Sequence, residues 1–395
     1  MSVSRIAASP GRAADGYLAL PAAGSGPGIL VLVDDRADDE MRQLIDLYAA
    51  EGYVALGAPA HEADDGDAAA IAALRDRSEC IGKVAALGFG RGGLTALRAA
   101  AEKRVDCAIC YAPTDIETVI ELAARIACPV VLHLAGNDPA ISPGTEARLK
   151  AAFAHRASAP SHPAGERRDG RTEAGLYIYA GVGPRFEQKS SADFDRAAAG
   201  LAHSRSVALL RRVIGPHYDL ETLWEAHIRY EFETRDVAAT MATMIDEPYV
   251  NHVPVMTGGV GQRDLARFYA DHFIPKCPAD IAMVPVSRTI GADRVIDEMV
   301  VSFTHDVEID WMLPGVAPTG RRVEVPLVAI VGFRGDKLCH EHIYWDQASV
   351  LVQIGLLDPG GLPVAGAETA KKLLDETLPS NSLIKSWAGS TREDG

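Results

Sequence analysis

Cysteine is scarce, with six residues in 395: Cys80, Cys107, Cys110, Cys128, Cys277 and Cys339. Spread that thinly they form no disulfide framework, and a reducing, cytoplasmic setting is expected. No stretch of 18 or more apolar residues occurs, so no segment is expected to span a bilayer. The first residues carry Arg5 and Arg12 without an apolar run behind them, which argues against a secretory leader. Positive charge is in deficit, since 39 Lys and Arg stand against 54 Asp and Glu, for a formal net charge of −15. Such a chain repels phosphate backbones and anionic lipid, so neither nucleic acid nor a membrane is expected as a partner. What is plentiful is ordinary for a soluble globular protein: 48% hydrophobic and 24% charged residues, in a length that suits two or three domains.

From residue 27 to about 215, short apolar runs alternate with helical patterns. Gly28–Val33, Tyr53–Gly57, Lys83–Gly88, 106–111, Pro129–Leu134 and Leu176–Tyr179 read as strands. Between them Arg42–Glu51, Ala68–Arg77, Leu94–Lys103, Ile116–Arg125 and Thr145–Phe153 read as helices, with a long one from Asp193 to Val213 at the end. Continuous rather than alternating apolar strands imply burial on both faces, hence a mostly parallel sheet between helical layers. The Pro-, Gly- and Arg-rich stretch from Ala157 to Thr172 reads as a surface loop. Cys107-Ala-Ile-Cys110 matches a C-x-x-C spacing, yet it lies within an apolar strand and reads as core.

After Gly215-Pro216 the pattern changes. Two helical segments, Leu220–Thr234 and Asp236–Ile245, precede long alternating strands. Met299–Trp311 places Val301, Phe303, His305, Val307, Ile309 and Trp311 on one face, as a half-solvated antiparallel strand does. Arg322–Phe333 and Lys337–Trp345 continue this sheet across a tight turn at Arg334-Gly-Asp336. The expected division is therefore residues 1–215, an α/β domain, then 216–385, an α+β domain, and a frayed tail over 386–395.

Gly88-Phe-Gly-Arg-Gly-Gly93, a strand-turn-helix, sits where an α/β hydrolase raises its nucleophile above the sheet. With Ala49–Leu56, Cys128–Asp138 and Tyr179–Phe186 in order, residues 15–214 resemble dienelactone hydrolase (carboxymethylenebutenolidase). The resemblance implies an α/β-hydrolase fold with a Cys-His-Asp triad. Carried over by position, the nucleophile falls on Gly90, the base on Pro184 and the acid on Asp138, while the family's glutamate near the thiol falls on Asp34. Glycine offers no nucleophilic atom and proline no transferable proton, so this domain is expected to be inactive as a hydrolase. Gly88, Gly90 and Gly93 also spell G-x-G-x-x-G. The motif follows the third strand rather than the first, and the next strand ends in Tyr111-Ala-Pro113 without an acid for a ribose, so a nucleotide is not expected. A residual pocket with Arg91 or Arg185 meeting an acidic ligand is the other use such a domain would have.

Residues 217 to about 380 resemble the SnoaL-like branch of the NTF2-like superfamily, through Thr304–Gly315, Pro318-Thr-Gly320 and Gly335–Gln347. The resemblance implies a cone-shaped α+β fold with an interior pocket, pairing through its sheet into a homodimer. Proton transfer next to a carbonyl is the chemistry such a pocket performs when it desolvates a carboxylate or an imidazole. Asp346 matches the acid/base aspartate of the cyclase branch, although His340 and His342 stand where that branch has Glu and Trp. His305 is the second candidate, as the polar residue on an apolar strand face. Of Asn251 and His252 on an early strand, one should point inward. Tyr344 shares a face with His340, His342 and Asp346 and would hydrogen-bond a developing enolate. The opposite parity, with Glu341 and Trp345 inside, stays open; Trp311 and His342 complete the expected substrate contacts. His340-x-His342 with Asp346 also has metal-ligand spacing, but polar residues on a solvated face are commoner, and neither metal nor cofactor is expected. Three functions fit: a small-molecule enzyme with acid-base chemistry in the second domain and the first as scaffold; a non-catalytic ligand-binding protein; or a lactone hydrolase working through a non-standard site.

Overall fold

The computed structural model describes residues 4–6, 16–34, 38–60, 65–154 and 174–390, and divides into two compact units, 1–218 and 219–395. The loop expected over 157–172 lies outside the described residues. Of the expected tail, 386–390 are described and Trp387–Gly389 forms a single 3-10 turn.

Eight strands build the sheet of the first unit: β1 (Ser4–Ile6), β2 (Gly16–Ala19), β3 (Gly26–Val33), β4 (Val54–Pro59), β5 (Cys80–Phe89), β6 (Cys107–Tyr111), β7 (Val130–Ala135) and β8 (Ala174–Tyr179). Their order is β1-β2-β4-β3-β5-β6-β7-β8, parallel from β4 onward, with β1 and β2 antiparallel at one edge. Every residue of β3 and β6 is buried, as their unbroken apolar sequences require. One face packs under α2 (Asp65–Arg75), α3 (Arg91–Ala101), α4 (Ile116–Ala123) and α5 (Pro143–Ala154) through Leu74, Leu97, Val119 and Leu149. The other packs under α1 (Asp38–Ala50) and α6 (Arg196–Ile214) through Ile45, Tyr48, Ala202 and Leu210. Cys107 and Cys110 are fully buried in β6, and burial pushes both thiols above their usual range. Beneath α6 the buried His133 bonds Tyr179 Oη through Nδ1 and Ser206 Oγ through Nε2, both at 2.9 Å.

The second unit opens with α7 (Leu220–Ile228), which widens into a π turn over Arg229–Glu233, and α8 (Val237–Ala242). Then follow β9 (Met244–His252), β10 (Thr257–Val260) and α9 (Gly261–Arg267), the last running into a second π turn over Phe268–Phe273. The remaining strands are β11 (Ala282–Ile290), β12 (Arg294–Thr304), β13 (Arg322–Arg334) and β14 (Lys337–Trp345), closed by α10 (Gln347–Gln353) and α11 (Glu368–Leu374). The sheet order is β10-β9-β14-β13-β12-β11. It is mixed rather than wholly antiparallel as expected, because β14 returns beside β9 in the same direction, a pairing that the long intervening chain permits.

A second departure concerns Met299–Trp311. The strand stops at Thr304, whose N–H and hydroxyl both bond the Asp280 carboxylate, and His305 N–H turns to Arg321 O. Thr319 and Gly320 N–H then close on His305 O, so the alternation beyond 304 is spent in a folded-back loop.

Candidate functional site

Side chains on the inner face of the second unit's sheet and on its helices enclose a cavity of about 50 Å³. Its walls are mostly apolar: Trp224, Phe232, Val250, Phe273, Met299, Trp311, Leu327 and Ile343 among others. Space of that size holds about three or four waters, or the reacting end of a larger molecule. Beside it lies an outer cleft of about 370 Å³ lined by Glu225, Arg229, Glu233, Arg288 and Asp297, with Ile228, Met283 and Met299 common to both. Asp297 is buried and accepts Trp224 Nε1–H at 3.0 Å and both prongs of Arg288 at 3.1 and 2.8 Å, fixing that wall.

Four titratable side chains line the inner cavity: Glu231, Glu341, Tyr269 and His252. Glu231 and Tyr269 each ride on a π turn, where the widened helix displaces side chains from the regular register. Glu341 is on β14 with Ile343 and Trp345 on the same buried face. Behind the carboxylates stands His227, one turn before Glu231 and fully buried. Its Nε2 lies 3.1 Å from Glu231 Oε1 and 3.2 Å from Glu341 Oε1. Its Nδ1 lies 2.6 Å from Thr243 Oγ1. That hydroxyl donates to Thr240 O at 2.7 Å, so toward His227 it can only accept, and Nδ1 carries a hydrogen. Burial works against a charge on His227, but the Glu231 and Glu341 carboxylates outweigh it and raise the imidazole to about 10. The Tyr269 hydroxyl is within hydrogen-bonding reach of the same two carboxylates, and burial with their charge pushes the phenol well above its usual range, so it stays a donor.

His252 is placed differently. Packed among Phe268, Phe273, Trp311 and Trp345, with ring centroids 5.5–5.9 Å away, it is lowered to about 4 by burial and is neutral. It hydrogen-bonds the Thr257 backbone, while its Nδ1 is buried without a partner. His227, Glu231 and Glu341 bring one nitrogen and two oxygens within 4.8 Å of one another, close enough to share a metal ion.

In the first unit the turn from β5 to α3 is centred on Gly90, at φ +55° and ψ −117°, in the left-handed half of conformational space that disfavours any side chain. A Cβ there would lie 2.5 Å from Asp34 Oδ2. The same carboxylate accepts the Arg91 N–H at the start of α3.

Two protein-family matches are found, one within each unit. Residues 58–214 match the Dienelactone hydrolase family, and residues 224–341 match the SnoaL-like domain. The chain joins a dienelactone hydrolase domain to a SnoaL-like domain. Carboxymethylenebutenolidase 1 of Cupriavidus pinatubonensis is 27% identical over 135 residues, which are 34% of this chain and 51% of that protein. Carboxymethylenebutenolidase of a Pseudomonas species is 25% identical over 228 residues, 50% of this chain and 89% of that protein. The chain thus spans about half the length of the first relative and most of the second. Among solved structures, a Pyrococcus furiosus esterase covers 51% of this chain and 85% of its own, with 15% identity and TM-score 0.39. An NTF2-like protein of unknown function from Burkholderia pseudomallei covers 35% of this chain and 98% of its own, with 14% identity and TM-score 0.28.

Of the residues expected to form the site of the SnoaL-like domain, His252, Trp311 and Glu341 line its cavity, and Trp345 packs against His252. The others lie elsewhere. Asp346 is exposed and caps α10, accepting the N–H groups of Ala348 and Ser349. Tyr344 is exposed, and His342 and His340 share its outward face, with the two imidazoles 5.0 Å apart. The inward parity of β14 is therefore the alternative one, because Ile343 and Trp345 bring Glu341 with them into the core. Asn251 alternates with His252 on β9 and is not among the cavity walls. His305 is buried in the loop after β12, bonded to Thr319 Oγ1 at 3.1 Å and away from the cavity walls.

The sequence reading missed His227, Glu231 and Tyr269. The His-x-x-x-Glu spacing of the first two was visible but is common on solvated helices; Tyr269 carried no signal. In the dienelactone hydrolase domain, Asp138 is half-buried and closes its own loop by accepting Ala140 N–H, and Pro184 lies in the turns after β8.

Proposed function

We propose that the protein is a small-molecule enzyme whose acid-base chemistry runs in the SnoaL-like cavity, next to a carbonyl, with the dienelactone hydrolase domain as an inert scaffold. The observation that carries this reading is the meeting of a neutral His252, whose Nδ1 has no partner, and a buried carboxylate-imidazole cluster in one apolar cavity. Buried polar groups normally have partners, and an orphan facing a cavity awaits one from a ligand. His252 Nδ1, a lone pair with no donor, is the proton acceptor. Tyr269 donates to the carbonyl oxygen as charge develops there. The outer cleft holds the rest of the substrate, and the unbranched side chains of Met283 and Met299, adaptable in shape, part to admit its reacting end.

The scaffold role of the first domain rests on Gly90: no nucleophilic atom stands at the turn, and Asp34 takes up the adjoining N–H. The protein works as a homodimer in the cytoplasm, with the outward sheet face of the SnoaL-like domain as the pairing surface. A pH-rate profile on lactones, enones and β-keto compounds tests the reading, with His252→Ala beside wild type. Turnover that falls at least tenfold in the variant supports it. Ligand-induced thermal shifts without turnover would turn it into a binding protein instead, and covalent acyl labelling within residues 88–93 would return the chemistry to the first domain.

A further inference from the structure

We propose that His227, Glu231 and Glu341 form a binding site for a first-row divalent metal ion, open toward the cavity of the SnoaL-like domain. Two carboxylates face a mostly apolar space, and no Lys or Arg is among the residues that line it. Carboxylates crowded into a buried, apolar place are costly unless a cation pairs with them. A divalent ion on a neutral imidazole and two carboxylates brings the total to zero.

Geometry points the same way. Nε2 stands 3.1 and 3.2 Å from two different carboxylate oxygens. A single N–H can be directed at one of them only, and Glu341 Oε1, although 3% exposed at most, is left without a hydrogen-bond donor. Metal bonds of about 2.0–2.2 Å place neighbouring ligand atoms about 3–3.5 Å apart, so an ion among the three atoms would serve both oxygens at once. The Nδ1–H of His227 is already committed to Thr243, which is the outer bond that aims a metal-binding imidazole and fixes its tautomer. One nitrogen and two oxygens suit Mn²⁺, Fe²⁺ or Zn²⁺ rather than a soft, thiolate-seeking ion. Three protein ligands leave a position on the side where Tyr269 and His252 line the cavity, as in catalytic rather than structural sites.

The inference deepens the reading above and rests on the same cavity. An ion there would polarise the substrate carbonyl that Tyr269 alone must otherwise serve.

The test uses full-length protein stripped with a chelator and titrated with Mn²⁺, Co²⁺ and Zn²⁺, followed by calorimetry and by the visible absorption of bound Co²⁺. One equivalent per chain is expected. Glu341→Gln, close in shape to the native residue, should weaken binding by more than ~100-fold, and Thr243→Val by roughly 10–100-fold. His340→Ala and His342→Ala, on the outward face, should leave it unchanged. Circular dichroism of each variant checks that it is folded. Absence of stoichiometric binding to wild type overturns the proposal, as does binding that survives Glu341→Gln or disappears with His340→Ala. Stoichiometric binding without turnover of any carbonyl compound keeps the metal site and removes the enzyme reading. Turnover indifferent to chelator, with no binding, does the reverse.

Discussion

Removing one charge from the His227 cluster should have opposite consequences depending on which charge is removed. In chelator-stripped protein, Glu341 is attracted to His227 at 3.2 Å by about 5 kcal/mol at an effective dielectric constant of 20. Its repulsion by Glu231, whose nearest oxygen is within 4.8 Å, is at least about 3.5 kcal/mol on the same scale. The net attraction of under about 2 kcal/mol is no larger than the several kcal/mol it costs to bury a third ion. Glu341→Gln, which keeps the shape and drops the charge, should therefore be neutral or stabilising by about 1–2 kcal/mol. His227→Gln instead strands two carboxylates and should cost about 3–5 kcal/mol. All four tryptophans, Trp224, Trp311, Trp345 and Trp387, belong to the second unit, so tryptophan fluorescence in a urea titration reports that unit alone. A Glu341→Gln variant as damaged as His227→Gln would refute the charge count.

Three further outcomes follow from other parts of the chain. Burial, with help from the Arg205 charge, lowers His133 to about 3 against 6.5 when unfolded. Between those values only the unfolded chain takes the proton, so stability is complete above pH 6.5 and falls by about 1.4 kcal/mol per pH unit on acidification toward pH 3. Far-ultraviolet dichroism melts at pH 7, 5.5 and 4.5 should show a shallower loss for His133→Asn, and equal slopes would contradict the assignment. Gly90→Ala forces a side chain into a positive-φ turn and against Asp34, and should lower the urea midpoint of the first unit by an amount equivalent to about 1–3 kcal/mol; an unchanged midpoint would mean the turn is not strained. Asp346→Ala should cost about 1 kcal/mol through its lost cap and leave kcat untouched, whereas a large fall in kcat would restore Asp346 to the site.

The fold was readable because its cores are written in the sequence as blocks: β3 and β6 are apolar throughout, and nothing but a doubly covered sheet hides such strands. The site was less readable, and β14 shows why. Period two is plain from Lys337 to Trp345, but both phases carry aromatic and titratable residues: His340, His342 and Tyr344 on one, Glu341 and Trp345 on the other. Burial of Ile343 and Trp345 decides the phase and carries a carboxylate inward against its own hydration preference. In β12 the failure is long-range, since Asp280, 24 residues before Thr304, ends a strand whose local alternation continues. Glu231 and Tyr269 sit on π turns, and a widened turn leaves no trace in helical periodicity.

The Asp34 carboxylate at the Arg91 amide bears on how this protein behaves in an activity screen. Boronic acids, fluorophosphonates and similar hydrolase traps work by bonding a side-chain atom and lodging an anionic oxygen on the neighbouring amide. At Gly90 there is no atom to bond, and the amide already holds an anion supplied by the chain itself. Profiling reagents of that kind should pass this protein by.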